Sequence, residues 1–157
     1  MHTSLGTDGT TTTTADPDEA ALAARLRLAV TRLHRSLRQQ ADAGLTPSQV
    51  SALAGVERLG SPTLGALAAR EAVQPPSMTR IVSALEELGY VTRVADPSDR
   101  RVARITVTPS GEAVLRQIRS LKNAFLAERV AALDPSERAA LGGLTSLLER
   151  LVDGAAG

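Results

Sequence analysis

The sequence predicts a mainly α-helical fold that contains one small β-hairpin. Apolar residues recur at three- and four-residue spacings over most of the chain, which is the period of an amphipathic helix. Three segments share one helix-start pattern: a capping residue, a proline, and Glu or Gln at the third helical position. Only residues 90–107 change to short β-branched runs, and these flank a turn rich in proline and aspartate.

Composition limits the classes of function. The chain has 157 residues and a net charge of +1, which is enough for one domain and does not by itself indicate a polyanionic partner. The absence of cysteine excludes disulfides, thiolate zinc sites and thiol redox sensing. With one Tyr, one Phe and no Trp, stacking on single-stranded nucleic acid is not expected. No apolar run approaches the roughly 20 residues of a membrane span, and no secretory signal is apparent, so a cytoplasmic protein without membrane association is predicted.

The N-terminal region combines a low-complexity tail with one long helix. Residues 1–15 contain an unbroken threonine run and are predicted to be disordered. The first helix is expected from Pro17 to Ala43 because it starts at a capping aspartate and carries an apolar stripe at helical spacing. The stripe consists of Leu22, Leu26, Val30, Leu33 and Leu37. The arginines on the opposite side are interpreted as a solvated face.

Five further helices and the hairpin follow. A helix after Thr46 ends near Gly60, where glycine suits a left-handed helix end. The remaining expected elements are short helices Thr63–Arg70 and Pro75–Leu88, strands Tyr90–Val94 and Val102–Val107, and closing helices Pro109–Ala132 and Pro135–Val152. This order is that of a winged helix-turn-helix with helical extensions at both ends.

Four polar residues and one methionine crowd the N-terminal turn of the second short helix. These residues are Gln74, Ser77, Met78, Thr79 and Arg80. In a recognition helix that end enters the major groove, where Ser and Thr bond bases or phosphates and an arginine can fork onto guanine. The helix start is itself expected to favour phosphate. The alternative is an ordinary exposed first turn in a corner between two helices.

The hairpin concentrates arginines on a short ribbon. They are Arg93, Arg100, Arg101 and Arg104, and a projecting arginine suits the narrow, negative minor groove. Asp96 and Asp99 are unsuited to face phosphate, so Asp99 is expected to orient an arginine through a forked hydrogen bond. The alternative is a surface hairpin whose charges neutralise one another.

The spacing of these residues resembles the wing signature of the MarR transcriptional regulators. The matching residues are Asp99-Arg100-Arg101 and Val107-Thr108-Pro109-Ser110-Gly111, together with upstream Leu64-Gly65-Ala66-Leu67-Ala68, Thr79-Arg80 and Leu85-Glu86-Glu87-Leu88-Gly89. The resemblance covers about Leu22 to Leu151. Val107 replaces the usual Leu, and Gln74-Pro75-Pro76 stands where a Ser or Thr cap is common.

The resemblance implies a homodimer that binds a pseudo-palindromic double-stranded DNA operator. Residues 16–45 and 109–157 would form the dimerisation helices, and residues 46–108 the DNA-binding domain. Ser77, Thr79 and Arg80 would then lie in the major groove, and Arg100 or Arg101 in the minor groove. A small-molecule effector of unknown identity is a further implied partner. From the pattern alone, the terminal leucine stripes could equally pack on each other within one chain.

The leading hypothesis is therefore a sequence-specific transcriptional regulator, a repressor by analogy. The alternative is a winged-helix module that binds proteins and not DNA. An enzyme is not supported, because the sequence has no Gly-rich phosphate loop, nucleophile elbow or cluster of metal ligands. His34 is interpreted as an edge residue of the first helix, and no metal or cofactor is expected.

Overall fold

Each proline-containing start signal begins a helix in the computed structural model of the chain, which describes residues 16–40 and 43–154. The tail predicted over residues 1–15 lies outside this part. The described elements are α1 (Pro17–Gln39), α2 (Pro47–Leu59), α3 (Leu64–Arg70), α4 (Pro75–Glu87), β1 (Val91–Ala95), β2 (Ala103–Val107), α5 (Pro109–Ala131) and α6 (Pro135–Asp153). The predicted fold class, mainly helical with a two-stranded wing between α4 and α5, is confirmed.

The predicted caps account for the helix starts. Thr46 and Asp134 each form a complete capping box, in which the cap side chain and the third helical residue satisfy each other's backbone amides. Asp16 accepts a hydrogen bond from the amide of Asp18 at 3.0 Å. Thr108 caps α5 by accepting from the amide of Gly111 at 3.1 Å. These local bonds satisfy amides that the helix itself leaves without partners.

Several element ends differ from the predictions, most of them by a single residue. Helix α1 ends at Gln39 and not at Ala43, because the positions three, four and seven residues after Leu37, where the stripe would continue, are Gln40, Ala41 and Gly44 and hold no large apolar residue. Strand β1 begins at Val91 and not at Tyr90. The amide of Tyr90 instead donates to the carbonyl of Leu85 at 2.9 Å and closes the end of α4, where Gly89 has φ +74°.

A hydrophobic core joins α2, α3, α4, the hairpin and the first half of α5. Its buried residues include Leu53, Val56, Leu67, Val82, Leu85, Val91, Ile105, Leu115 and Ile118. The two strands pair antiparallel with Val91 opposite Val107 and Ala95 opposite Ala103. This core therefore holds α4 and the hairpin as parts of one packed body.

The terminal helices α1 and α6 leave most of their large apolar residues exposed. The chain divides into two units, Met1–Ser36 and Leu37–Gly157. In the first unit α1 buries none of its residues and exposes Leu22, Val30 and Leu33. In the second unit α6 also buries none, and its exposed apolar residues are Leu141, Leu144, Leu147, Leu151 and Val152. Within the described part of the chain, no helix combines the length and apolarity that crossing a membrane requires.

Candidate nucleic-acid interface

The start of α4 is set by two prolines. Gln74 is the N-cap residue and makes no side-chain capping bond, while Pro75 and Pro76 occupy the first two helical positions. Proline has no amide hydrogen and is preset to the helical φ, so the two prolines remove two of the amide donors that the start of a helix leaves without partners. The helix start is thus formed without the Ser or Thr cap that the resemblance leads one to expect.

The same arrangement overturns the expectation that the start of α4 offers amides to a phosphate. The first two amide hydrogens do not exist, and the amides of Ser77 and Met78 both donate to the carbonyl of Gln74 at 3.0 Å. A helix start binds anions through free amides that point at the ligand. Any contact with DNA at this end must therefore come from side chains.

Three of the predicted side chains are presented to solvent. Ser77, Thr79 and Arg80 are exposed on the first two turns of α4. The hydroxyl of Thr79 donates to the carbonyl of Pro75 at 2.9 Å, which leaves its oxygen able to accept a bond. Within residues 16–40 and 43–154, the guanidinium of Arg80 has no hydrogen-bond or ion-pair partner, so all its donors remain available.

Met78 is a correction to the predicted interface. Its side chain is 1% exposed and belongs to the hydrophobic core. It precedes Val82 by four positions and Leu85 by seven, so all three lie on the inward side of α4. A residue in this position cannot reach a base, and its contribution is to anchor α4.

The turn between α3 and α4 is fixed by contacts that the sequence pattern does not predict. The hydroxyl of Ser51 on α2 donates to the carboxylate of Glu71. Ala72 adopts φ +51°, and its amide donates to the carbonyl of Ala69 while that of Val73 donates to Ala68. These bonds close α3 in the manner of a Schellman motif, with alanine where glycine is usual.

The forked bond expected of Asp99 is present. Arg101 donates from Nε to Oδ1 at 3.1 Å and from Nη2 to Oδ2 at 3.2 Å, and its backbone amide also donates to Oδ1. These bonds hold the pKa of Asp99 below its usual range. The Arg101 side chain is nevertheless 91% exposed. Its neighbour Arg100 is exposed and has no side-chain partner in the described part of the chain.

Arg93 has a different environment from these tip arginines. Its Nη2 donates to the hydroxyl of Ser83 at 3.2 Å, and its Nε lies 3.2 Å from a carboxylate oxygen of Glu86. Both partners belong to the second half of α4. Arg93 therefore joins β1 to α4, and Glu86 balances its charge.

A third acid–arginine pair lies at the base of the wing. Asp96 is buried and accepts from the amide and hydroxyl of Ser98, from the amide of Asp99 and from Nε of Arg104. The bonds from Ser98, followed by that from Arg104, hold the pKa of Asp96 far below its ordinary value. The sequence Asp96-Pro97-Ser98-Asp99 contains a local signal for part of this network. An aspartate that accepts from the backbone amide two residues later forms an Asx-turn.

Thr108 and Gly111 of the wing signature connect the hairpin to α5. The Thr108 hydroxyl donates to the carbonyl of Gly89 at 2.6 Å and accepts from the amide of Gly111. The amide of Thr108 also donates to the carbonyl of Tyr90 at 3.0 Å. The threonine thus joins the end of α4, the end of β2 and the start of α5 at a single point.

Comparison with known proteins agrees with this arrangement. The MarR family model matches residues 45–103. An HTH-type transcriptional regulator of Mycobacterium bovis is 42% identical over 136 residues, which are 86% of this chain and 95% of that protein. The chain belongs to the MarR family. It is an HTH-type transcriptional regulator, and its family consists of regulators that bind DNA operators and are not enzymes.

Solved structures share the fold over most of the chain. A transcriptional regulator of Pseudomonas aeruginosa is 34% identical, with a TM-score of 0.79 over 88% of this chain and 98% of that one. A MarR family protein of Bacillus stearothermophilus is 23% identical, with a TM-score of 0.75 over 89% of this chain and 99% of that one. A mutant of Staphylococcus aureus MepR, solved bound to an oligodeoxyribonucleotide, is 19% identical with a TM-score of 0.66, covering 83% of this chain and 97% of that one. At these lower identities the likeness concerns the MarR fold alone.

Proposed function

We propose that this MarR-family regulator binds a pseudo-palindromic double-stranded DNA operator as a homodimer and represses transcription there. The observation that carries the proposal is the division of α4 into two sides. Its inward side is core, whereas its first two turns expose Ser77, Thr79 and the unpaired Arg80. A helix held by its apolar side with free polar donors at its N-terminal turns suits major-groove recognition.

Each exposed group of α4 has a chemistry that suits base edges. Arg80 can donate two parallel bonds to O6 and N7 of guanine, which is a base-specific contact. The Thr79 hydroxyl, with its hydrogen given to a carbonyl, is left to accept from an amino group such as that of adenine or cytosine. Ser77 can bond either a base or a phosphate. Gln74, next to the helix start, is exposed and can bond a phosphate.

The two tip arginines of the wing are proposed to have separate roles. The fork to Asp99 orders Arg101, so inserting it into the minor groove costs less conformational entropy than inserting a free side chain. Arg100 keeps an unbalanced charge and is suited to a neighbouring phosphate. Arg93 is assigned to support α4, since Glu86 and Ser83 already engage it.

The exposed leucines of α1 and α6 support the homodimer. Five large apolar residues of α6 and several of α1 are open to solvent, and a second copy of the chain would cover them. Residues 16–45 and 109–157 are accordingly proposed as dimerisation segments around the DNA-binding residues 46–108. Release by a small-molecule effector stays a prediction from the family resemblance.

Salt dependence of duplex binding tests the proposal against a protein-binding module. Phosphate contacts release counterions, so affinity for DNA should fall steeply as salt rises. Measured by fluorescence anisotropy, the wild type should bind duplex DNA with such a slope, and Arg100→Gln should reduce it by about one counterion. A protein that ignores duplexes at low salt would contradict the proposal and favour the module.

A further inference from the structure

The wing is attached at its base to the loop that precedes α3. Asp96 is the one charged side chain that is buried among the described residues, with 5% of its surface exposed. Its carboxylate accepts from Ser98, from the amide of Asp99 and from Nε of Arg104. Asp96 therefore stabilises the turn that carries Arg100 and Arg101, and it also bonds Arg104 on the opposite strand, β2.

Arg104 extends this network beyond the hairpin. Its Nη1 donates to the carbonyl of Ser61 at 3.1 Å, in the loop between α2 and α3. The amide of Ile105 donates to the carbonyl of Pro62 at 2.9 Å, and Thr63 forms a β-bridge with Arg104. The strand that leaves the wing is thus bonded to three consecutive loop residues, by side chain and by backbone.

The same loop begins the helix-turn-helix. Thr63 is the N-cap of α3, and its side chain accepts from the amide of Ala66 at 3.2 Å. Helix α3 packs directly on α4. A continuous set of contacts therefore leads from the wing turn through Asp96 and Arg104 to α3 and on to the recognition helix.

We propose that Asp96 and Arg104 are positioning residues that set where the wing tip lies relative to the recognition helix. The inference rests on the proposed DNA binding and adds to it a separation of roles. Arg100 and Arg101 would contact DNA, whereas Asp96 and Arg104 would determine which stretch of the duplex these two arginines reach. Asp96 cannot itself face DNA, because its side chain is 6% exposed and already accepts from three residues.

Electrostatics and positioning predict opposite signs for one substitution. Asp96→Asn removes a negative charge, which by charge alone would strengthen binding to a polyanion. If Asp96 positions the wing, the same change weakens binding, because the amide nitrogen of Asn repels the donors of Arg104. Arg104→Lys keeps the charge but cannot bond Asp96 and the Ser61 carbonyl through a planar fork.

The exposed pair Glu112 and Arg116 offers matched controls. It lies on the first half of α5, which packs on the hydrophobic core through Val114, Leu115 and Ile118 and carries none of the exposed leucines of α1 and α6 assigned to the dimer interface. Its charged atoms are 3.5 Å apart and both side chains are more than half exposed. Glu112→Gln repeats the charge change of Asp96→Asn, and Arg116→Lys repeats the chemistry of Arg104→Lys. The probe is a duplex that the wild-type protein recovers from a random-sequence pool, and the readouts are affinity and a hydroxyl-radical footprint of the minor groove.

Asp96→Asn and Arg104→Lys should each weaken binding about tenfold. Their footprints should also lose the protection of the minor groove that flanks each half-site. Protection at the centre of each half-site should remain, and the controls should match the wild type. Circular dichroism melting confirms that the variants are folded at the assay temperature, and if Asp96→Asn is unfolded the result with Arg104→Lys decides. Folded variants with unchanged footprints, or tighter binding by Asp96→Asn, would overturn the inference alone. If both variants were unfolded, Asp96 and Arg104 would have only a structural role, which would contradict the inference. A wild type that recovers no duplex would overturn the proposed function as well.

Discussion

The carbonyl oxygen of Tyr90 lies in the space that a side chain on Gly111 would occupy. A β-carbon built on Gly111 would overlap this oxygen and also crowd a methyl group of Val107. The carbonyl is held in place because it accepts the amide of Thr108. The Thr-x-x-Gly part of the wing signature thus has a steric cause: threonine caps α5, and glycine leaves room for the chain that leaves α4.

Gly111→Ala is therefore expected to destabilise the protein by about 3 kcal/mol, since a backbone atom cannot move away as a side chain could. Gly65→Ala is the matched control, because a β-carbon there meets nothing within 4 Å. In a helix, alanine is favoured over glycine, so this control should gain up to about 1 kcal/mol. Urea denaturation of both variants measures the difference. Equal stabilities would contradict the steric explanation.

Ala72→Gly is expected to stabilise the protein by about 0.5–1 kcal/mol. Ala72 adopts φ +51°, where a β-carbon approaches its own backbone and glycine does not. The gain is partly offset because glycine loses more entropy on folding. Thermal and urea unfolding check the prediction. Ala69→Gly, inside α3 at ordinary helical geometry, is the control and should be destabilising by about 1 kcal/mol. A loss of stability on Ala72→Gly would contradict the argument.

The free energy of unfolding is expected to fall on acidification. Hydrogen bonds lower the pKa of Asp96, Asp99 and Asp134 from 3.8, and a bond from Arg119 lowers that of Glu57 from 4.5. A carboxyl group with a lowered pKa contributes stability above its ordinary pKa and loses it as the pH falls through the folded value. The loss should therefore appear below about pH 4.5.

Asp134→Asn provides the test of this pH dependence. Asparagine caps a helix about as well as aspartate, so stability at pH 7 should change little. Because the variant has one fewer shifted carboxyl group, its stability should decline less steeply below pH 4. Urea denaturation at a series of pH values compares the two proteins. Stability that rises on acidification would contradict the assignment of these groups.

Leu144→Glu is expected to convert the proposed dimer into monomers. Leu144 is 43% exposed in a single chain, so a charge there costs little unless a partner covers it. Val94→Glu is the control, because Val94 is an equally exposed apolar residue outside the terminal helices. Sedimentation velocity should give a dimer for the wild type and for Val94→Glu. A dimeric Leu144→Glu variant would show that this face of α6 is not the interface.

Local signals were sufficient to predict the helices, because caps and apolar spacing act within a few residues. Thr46, Thr108 and Asp134 each bond an amide no more than three positions away. The position of Met78 was also within reach, since its spacing to Val82 and Leu85 is helical. The polar residues around it favour an exposed position, and that prediction is wrong for Met78 because its side chain is buried.

The partners of the charged residues could not be predicted in the same way. Arg104 bonds the carbonyl of Ser61, which is 43 positions away, and Ser51 on α2 bonds the carboxylate of Glu71 at the end of α3. Such pairs depend on how elements pack, and a single sequence does not encode that as a short pattern. The forked bond of Asp99 could be predicted because its partner Arg101 is two residues away.

Sequence selection from a random pool of duplexes tests the central claim most directly. The account predicts that the wild type enriches one two-fold symmetric motif. Arg80→Ala should lose about 1–3 kcal/mol of affinity for it and relax the preference at one base pair of each half-site. Arg116→Ala, which removes the same charge from α5, should recover the wild-type motif. A wild type that enriches no motif, or an Arg80→Ala variant that recovers the same motif with equal affinity, would contradict the assignment of α4 as the element that reads DNA.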